Sequence, residues 1–479
     1  MLFTDPVFFF LFFPIVILGF HFFNFFSSNV ALLFLTISSL IFYSWDQPLY
    51  VFILVYVVVI SWIMGNFIRL SQNNKKKIFV CSIILILLPL IFYKYFYFII
   101  SNIDIIFLSV SYDIMPENIM FVAKSIILPI GISFYTFQSI SYLIDVYTGK
   151  IKEKNSFINY SAYVTMFPQL VAGPIVRFKE ISKQLISPHI TADNIRIGTY
   201  FFIIGLSKKV LIADTLAPFV DLIFDGENNN IQNFYIIFIG TVAYALQLYF
   251  DFSGYSEMAI GIASYFGFKF PQNFNSPYKA KSLTEFWQRW HMTLSFWVRD
   301  YIYFPILANN LRRSMGTVSK YSPHLIAMLI FGIWHGAGWN FLLWGGGHGV
   351  ALIFENMFLN NLKSTISKIV KIIFTFSVVL LLYIPFRSSD IESTFEMWLA
   401  LTNFDIEGLL YFLKLINLNI ALSILAIPLS LYLVFFRKNI YEMNKELNFN
   451  SALLLSVLLI ISILVMLSRP YIPFLYFQF

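Results

Sequence analysis

The sequence predicts an all-α, polytopic transmembrane protein of about 11–13 spans, with re-entrant or interfacial helices around a central cavity. Three observations carry that prediction. Hydrophobic residues make up 59% of the 479 and charged residues 12%, with a mean hydropathy of +0.75, whereas soluble domains carry about a quarter charged residues. The apolar residues come in runs of about 20, enough to cross roughly 30 Å of hydrocarbon, and most lysines and arginines collect in the short loops between them. Between residues 120 and 350 this simple pattern breaks, because prolines, glycines and ionisable side chains interrupt it.

The chain divides into N-terminal spans (1–119), a core that carries the motifs (120–350) and C-terminal spans (351–479), read together as one integral membrane domain. Val7 to Phe26 has no basic start and no small-residue cleavage site, so it reads as a retained span. Further runs fall at 30–45, 49–68 and 78–100. The loop Arg69-Leu-Ser-Gln-Asn-Asn-Lys75-Lys-Lys77 is expected on the cytoplasmic side, and the next loop, with Asp104, Asp113, Glu117 and no lysine or arginine, outside. Counting back through three spans places the N-terminus outside. After a span at 121–146, Lys150-Ile-Lys-Glu-Lys154 returns to the inner side. Beyond 350, apolar runs at 366–386, 394–415, 418–436 and 451–468 show no chemistry, and Arg437, Lys438 and Lys445 mark another inner loop.

Composition also excludes several classes. The net charge of +7 sits in short loops beside apolar runs, which is how an inner leaflet is contacted, so no nucleic-acid partner is expected and membrane lipid is. A single cysteine, Cys81, rules out an intrachain disulfide and any multi-cysteine metal site; no metal is expected, and Cys81 reads as a small buried hydrophobe. No nucleotide-binding loop, dinucleotide fingerprint or internal repeat is present.

Chemistry concentrates in residues 282–349. Ser282-Leu-Thr-Glu285 reads as a capping box that opens a helix running on to Asp300. Within it Trp287, His291, Leu294, Val298 and Tyr301 form one stripe, and Glu285 pairs with Arg289 one turn away. After the basic turn Arg312, Arg313 and Lys320 come Gly332-Ile-Trp-His335-Gly-Ala-Gly-Trp339-Asn340 and Leu343-Trp-Gly-Gly-Gly-His348-Gly349. Seven of the 21 glycines lie between 332 and 349, a density that lets backbones approach closely and predicts a tight, partly irregular site around His335. Ionisable groups inside a membrane are expensive enough to be functional candidates, so His291 and His335 are the residues expected to move protons. Asp251, Ser253, Ser256 and Glu257, in an apolar segment, are candidates for supporting them, as is His348, with hydrogen-bonded helix glue as the alternative.

These residues carry a resemblance. Tyr249-Phe-Asp-Phe-Ser-Gly-Tyr-Ser-Glu-Met258, Phe270-Pro-Gln-Asn-Phe-Asn-Ser-Pro-Tyr278, Thr284-Glu-Phe-Trp-Gln-Arg-Trp-His291 through Tyr301, Gly332 through Gly349, and upstream Phe167-Pro-Gln-Leu-Val-Ala-Gly-Pro-Ile-Val-Arg177 resemble the membrane-bound O-acyltransferases, in particular the bacterial alginate and polysaccharide O-acetylation subgroup. One stretch departs: where the family carries Leu-Gly-Gly-Asn-Arg, this chain reads Leu307-Ala-Asn-Asn310.

The resemblance implies an enzyme of the bacterial cytoplasmic (inner) membrane, with no bound cofactor. It would move an acetyl group from cytoplasmic acetyl-CoA to an extracytoplasmic hydroxyl of a cell-surface polysaccharide or to a secreted acetyltransferase partner. His335 would be the base, with Trp334, Trp339 and Asn340 shaping its pocket, His291 an orienter or second proton carrier, and Trp287, Arg289, Asp251, Ser253 and His348 around them. Lys208-Lys209 and Arg312-Arg313 would suit CoA phosphates if they lie inside. The rival readings are a D-alanyl transferase to a cell-wall polymer using a carrier protein, a secondary transporter with a histidine proton relay, and an inactive scaffold. The orientation is tested by single-cysteine labelling in a Cys81→Ser background. An impermeant reagent added outside should label a cysteine near Asp113 and miss one near Lys76, and the reverse pattern overturns it.

Overall fold

With no water at membrane depth, each backbone N–H and C=O must be satisfied within the segment, which leaves the helix as the form an apolar run can take. The computed structural model describes residues 1–109, 117–225, 233–313, 316–359, 367–443, 445–469 and 474–475; Asp113 of the acidic loop lies outside them. The chain is 80% helical, with no strand among the described residues, so the all-α expectation holds.

Seven helices among the described residues are long and apolar enough to cross a membrane: Phe8–Phe26, Pro48–Leu70, Lys75–Phe107, Phe234–Tyr265, Lys368–Arg387, Leu418–Phe436 and Phe449–Ser468. The central stretch of Phe234–Tyr265 is 89% buried, against 11–39% for the other six, which marks it as an interior helix. Other runs read as spans from the sequence are shorter or broken. The 121–146 run splits into Glu117–Ser125 and Ile132–Tyr147, because Pro129 lacks a backbone donor and Gly131 turns left-handed at φ 74°. The 394–415 run becomes Ile391–Ala400 and Ile406–Lys414, parted by the polar Thr402-Asn-Phe-Asp405 turn. Cys81 is exposed on its helix rather than buried.

The chain forms two units, Met1–Gly198 with Ile262–Phe270, and Thr199–Gly261 with Pro271–Phe479. In the first, Ile132–Tyr147 is buried along almost its whole length. Tyr160 donates to Ser61 Oγ at 2.7 Å, and Phe8, Phe42 and Phe167 pack ring to ring. Arg177, which ends the upstream motif, is 7% exposed and shares a capping box with Glu180.

In the second unit six helices matter most: α1 (Phe234–Tyr265, up to Gly261), α2 (Leu283–Arg289), α3 (Met292–Val298), α4 (Gly316–His335), α5 (Trp339–Phe354) and α6 (Lys368–Arg387). The glycines let α4 and α5 touch backbone to backbone: a Cβ on Gly345 would run into the carbonyl oxygen of Met328, and one on Gly332 into that of Phe341. The α5–α6 contact is set by Asn340, whose Nδ2 donates to Ser388 O at 2.8 Å beyond the end of α6.

Three carboxylates in this unit are paired with two lysines. Lys209 Nζ lies 2.6 Å from Asp251 and 2.7 Å from Asp214, Lys208 pairs with Glu257, and Asp251 Oδ2 also accepts from Leu475 N at 3.1 Å. The Lys209 side chain is 1% exposed, which removes it from the groups able to meet a CoA phosphate. Breaking a buried pair by deleting one partner leaves an uncompensated charge that costs about 3–5 kcal/mol. Lys209→Met is therefore expected to abolish most folded protein, read as detergent-solubilised yield and melting temperature, whereas wild-type yield and melting would refute the structural role.

Candidate active site

The sequence predicts one continuous helix from Ser282 to Asp300, and the structure corrects this at His291. Here α2 ends at Arg289, Trp290 is extended, and His291 takes φ 41°, ψ 52° as the residue before α3. A left-handed conformation at a residue with a Cβ costs energy and persists only when its surroundings impose it. Asn273 imposes it. Its carbonyl oxygen accepts Met292 N at 2.8 Å, and its side-chain oxygen accepts Thr293 N at 3.2 Å and Thr293 Oγ1 at 2.8 Å. The amide nitrogen of the same side chain donates to Ser256 Oγ on α1 at 2.9 Å.

That clamp also fixes the imidazole. A backbone N–H can only donate, so the Asn273 atom facing Thr293 N is the oxygen, and His291 Nδ1, 3.0 Å from it, must be the donor. Neutral His291 then carries its proton on Nδ1 and a lone pair on Nε2. The ring is fully buried, with Phe252 at 4.6 Å on one side and Trp334 at 6.1 Å between ring centroids.

His335 closes α4 and is 2% exposed. Aromatic rings surround it: Trp334 at 4.8 Å, Trp344 and Phe386 at 5.0 Å and Phe331 at 5.2 Å. His348, one turn after Trp344 on α5, is fully buried and stands edge-on to Trp344 at 5.1 Å and Trp287 at 5.0 Å. Neither of its ring nitrogens has a hydrogen-bonding partner among the described residues. The Trp344 indole is thus shared by two histidines, and the Trp334 indole by His291 and His335.

The other expected residues divide. Trp287, Trp334 and His348 join the aromatic cluster. Asn340 is buried but bonds to the α6 end, and Trp339 is 55% exposed. Arg289 pairs with Glu285 at 2.7 Å and donates to Asn275 O at 3.1 Å, holding the α2 end against the Asn273 segment. Ser282 caps α2 as expected, accepting Glu285 N at 3.1 Å, but the Glu285 carboxylate reaches Lys281 N rather than closing the box on Ser282. Asp251 is engaged by Lys209, and the buried Ser253 hydroxyl has no partner among the described residues; neither is hydrogen-bonded to a histidine. Of the polar residues expected to support the histidines, Ser256 does so through Asn273, which sequence reasoning missed. The signal was available in Pro271-Gln-Asn-Phe-Asn275, since a polar run beside a buried histidine offers the amide that orients it.

The arrangement places two buried imidazoles in a largely apolar, aromatic setting where one of them is held in a single tautomer. Such a setting suits proton transfer from a hydroxyl during acyl transfer. Among the described residues no group of histidine, cysteine and carboxylate side chains could hold a metal ion.

Residues 150–385 match the family model of the membrane-bound O-acyltransferases. The chain is 36% identical to the probable alginate O-acetylase AlgI of Pseudomonas aeruginosa, over 84% of this chain and 75% of that protein. It is 34% identical to the peptidoglycan O-acetyltransferase of Helicobacter pylori, over 83% and 79%, and 26% identical to the teichoic acid D-alanyltransferase of Streptococcus thermophilus, over 66% and 73%. Motif, fold and identity agree: the chain is a multi-pass membrane enzyme that belongs to the membrane-bound O-acyltransferase family.

Proposed function

We propose that this enzyme moves an acetyl group from cytoplasmic acetyl-CoA, across the bacterial cytoplasmic membrane, to a hydroxyl of a cell-surface polysaccharide or of a secreted acetyltransferase partner. The observation that carries the reading is the pair of buried histidines that both pack against Trp334, at 4.8 Å and 6.1 Å between ring centroids. The names of the relatives, O-acetylases of alginate and peptidoglycan, supply the acetyl group and the glycan class. The D-alanyltransferase relative is less similar, so the acetyl reading is preferred over transfer from a carrier protein.

The chemistry asks little of the protein. As the acceptor oxygen attacks the thioester carbonyl, a base takes the hydroxyl proton; the C–S bond then breaks, and the proton passes to the leaving thiolate. Atoms and charge balance without a metal or a redox partner. His335 is assigned as that base, and its aromatic surroundings exclude water that would hydrolyse the thioester. His291 is assigned as orienter or second proton carrier, held in one tautomer by Asn273.

If His335 is the base, His335→Ala should lower turnover at least about a hundredfold while donor affinity changes little. His291→Ala should cost about ten- to a hundredfold, as a residue acting beside the base does. The measurement is acetyl transfer from labelled acetyl-CoA by purified protein in detergent, supplied with a secreted partner and with thermal stability followed in parallel. Full turnover by His335→Ala sinks the assignment. Equal loss at both histidines would favour a relay, and no loss at either would favour a scaffold.

Asn273 gives a finer test, because its side-chain oxygen sets both the backbone at His291 and the imidazole tautomer. Asn273→Ala is expected to lower turnover by about tenfold or more and to move the alkaline or acid limb of its pH profile. A variant with an unchanged profile and reduced yield would make Asn273 a packing residue only.

A further inference from the structure

We propose that the groove between α5 and α6 binds an anionic glycerophospholipid, with one acyl chain along the groove and its phosphate between Lys281 and Lys371. The groove encloses about 790 Å³. Leu343, Gly346, Gly347 and Val350 line it from α5, and Phe374 and Val378 from α6, so its wall is almost wholly apolar. It lies on the face of α5 turned away from Trp344 and His348, and so stands apart from the catalytic assignment.

Its two ends differ. Asn340 holds the start of α5 to the end of α6, so the helices run antiparallel, and the far end of the groove brings Lys281, Glu355 and Lys371 together. The Glu355 carboxylate is already engaged: it accepts Thr284 Oγ1 at 2.8 Å, Thr284 N at 3.3 Å and the buried Leu283 N. Two lysines against one carboxylate leave that end of the groove net positive. More positive charge gathers there, since Lys279 Nζ donates to Arg437 O at 2.8 Å, bringing in the loop of Arg437 and Lys438, and Lys368 opens α6.

Length points to a single chain in a single leaflet. From Leu342 to Glu355 the groove follows α5 for about 20 Å at the helical rise, somewhat more than half of a roughly 30 Å hydrocarbon core. A basic rim above an apolar slot of that length fits a phosphate with an acyl chain below it, and a basic loop of this kind belongs on the inner face, where anionic lipids reside. A zwitterionic lipid would fill the slot equally well and gain nothing from the lysines.

The experiment uses the full-length protein, delipidated in detergent and titrated with phosphatidylglycerol or phosphatidylcholine under native mass spectrometry. Wild type is expected to prefer phosphatidylglycerol. Affinity for it should fall about fivefold for each lysine removed in Lys281→Gln and Lys281→Gln/Lys371→Gln, approaching that for phosphatidylcholine. Val350→Trp, at a position 59% exposed, fills the slot without entering the core and should weaken both lipids. Lys281 is exposed, so its single variant remains readable if the double variant folds poorly. Equal affinity for the two lipids in wild type, undiminished phosphatidylglycerol binding by Lys281→Gln, or wild-type binding by Val350→Trp would each overturn the proposal.

Discussion

Much of the active-site geometry hangs on one side-chain oxygen. Asn273 Oδ1 receives His291 Nδ1, Thr293 N and Thr293 Oγ1 together. Remove it and three donors are left in a buried setting, where each unsatisfied group costs about 1–3 kcal/mol. The same oxygen keeps α2 and α3 apart, because a continuous helix would carry Thr293 N back to Arg289 instead. The break at His291 is thus an imposed local strain: a hydrogen-bonding network outcompetes the helical alternative and, in doing so, aims one imidazole. Ser256 extends the network to α1, which ties the histidine to a helix whose central stretch is 89% buried.

The second constraint is steric. The aromatic cluster around His335 and His348 requires α4 and α5 to approach more closely than side chains allow, and Gly332 and Gly345 remove the obstacle. Without an aqueous hydrophobic effect between membrane helices, such close packing is itself a main source of association. The glycines that relax the backbone therefore also bring the Trp344 indole against two imidazoles. The two buried histidines sit among aromatic rings, while the buried carboxylates of Asp251 and Glu257 pair with Lys209 and Lys208.

How much of this was legible in the sequence follows from the range of each interaction. Period, run length and loop charge are local, and they predict the all-α membrane fold and the ends of most apolar helices. The glycine density around His335 correctly signals close packing, and Ser282 is a cap as its spacing indicates. What failed is non-local. Nothing within the 282–300 segment shows that Asn273 will break its helix, since the stripe at Trp287, His291 and Leu294 satisfies helical spacing. Asp251 looked like support for a histidine because its partner, Lys209, is 42 residues away in a different helix. Trp339 and Trp344 are chemically alike, yet helical phase alone leaves one exposed and the other fully buried.

The fate of the lysines bears on where a donor could be held. Lys208 and Lys209 look in the sequence like a dibasic anion site, but a π-helical turn over Lys208–Ala213 rotates both into the unit, where three carboxylates receive them. A π-bulge is a recurrent device for turning functional side chains off the regular helical phase. In this enzyme it turns cations away from solvent and so uses them for architecture. Any phosphate of the proposed donor must then be met by cations that keep their exposure. Arg299 is one: its side chain is 47% exposed beside Asp300, and it lines a cavity of about 280 Å³ whose inner wall includes Trp287 and Phe331. Those two rings touch His348 and His335 respectively. The cavity that Arg299 lines thus shares two of its aromatic side chains with the surroundings of His348 and His335.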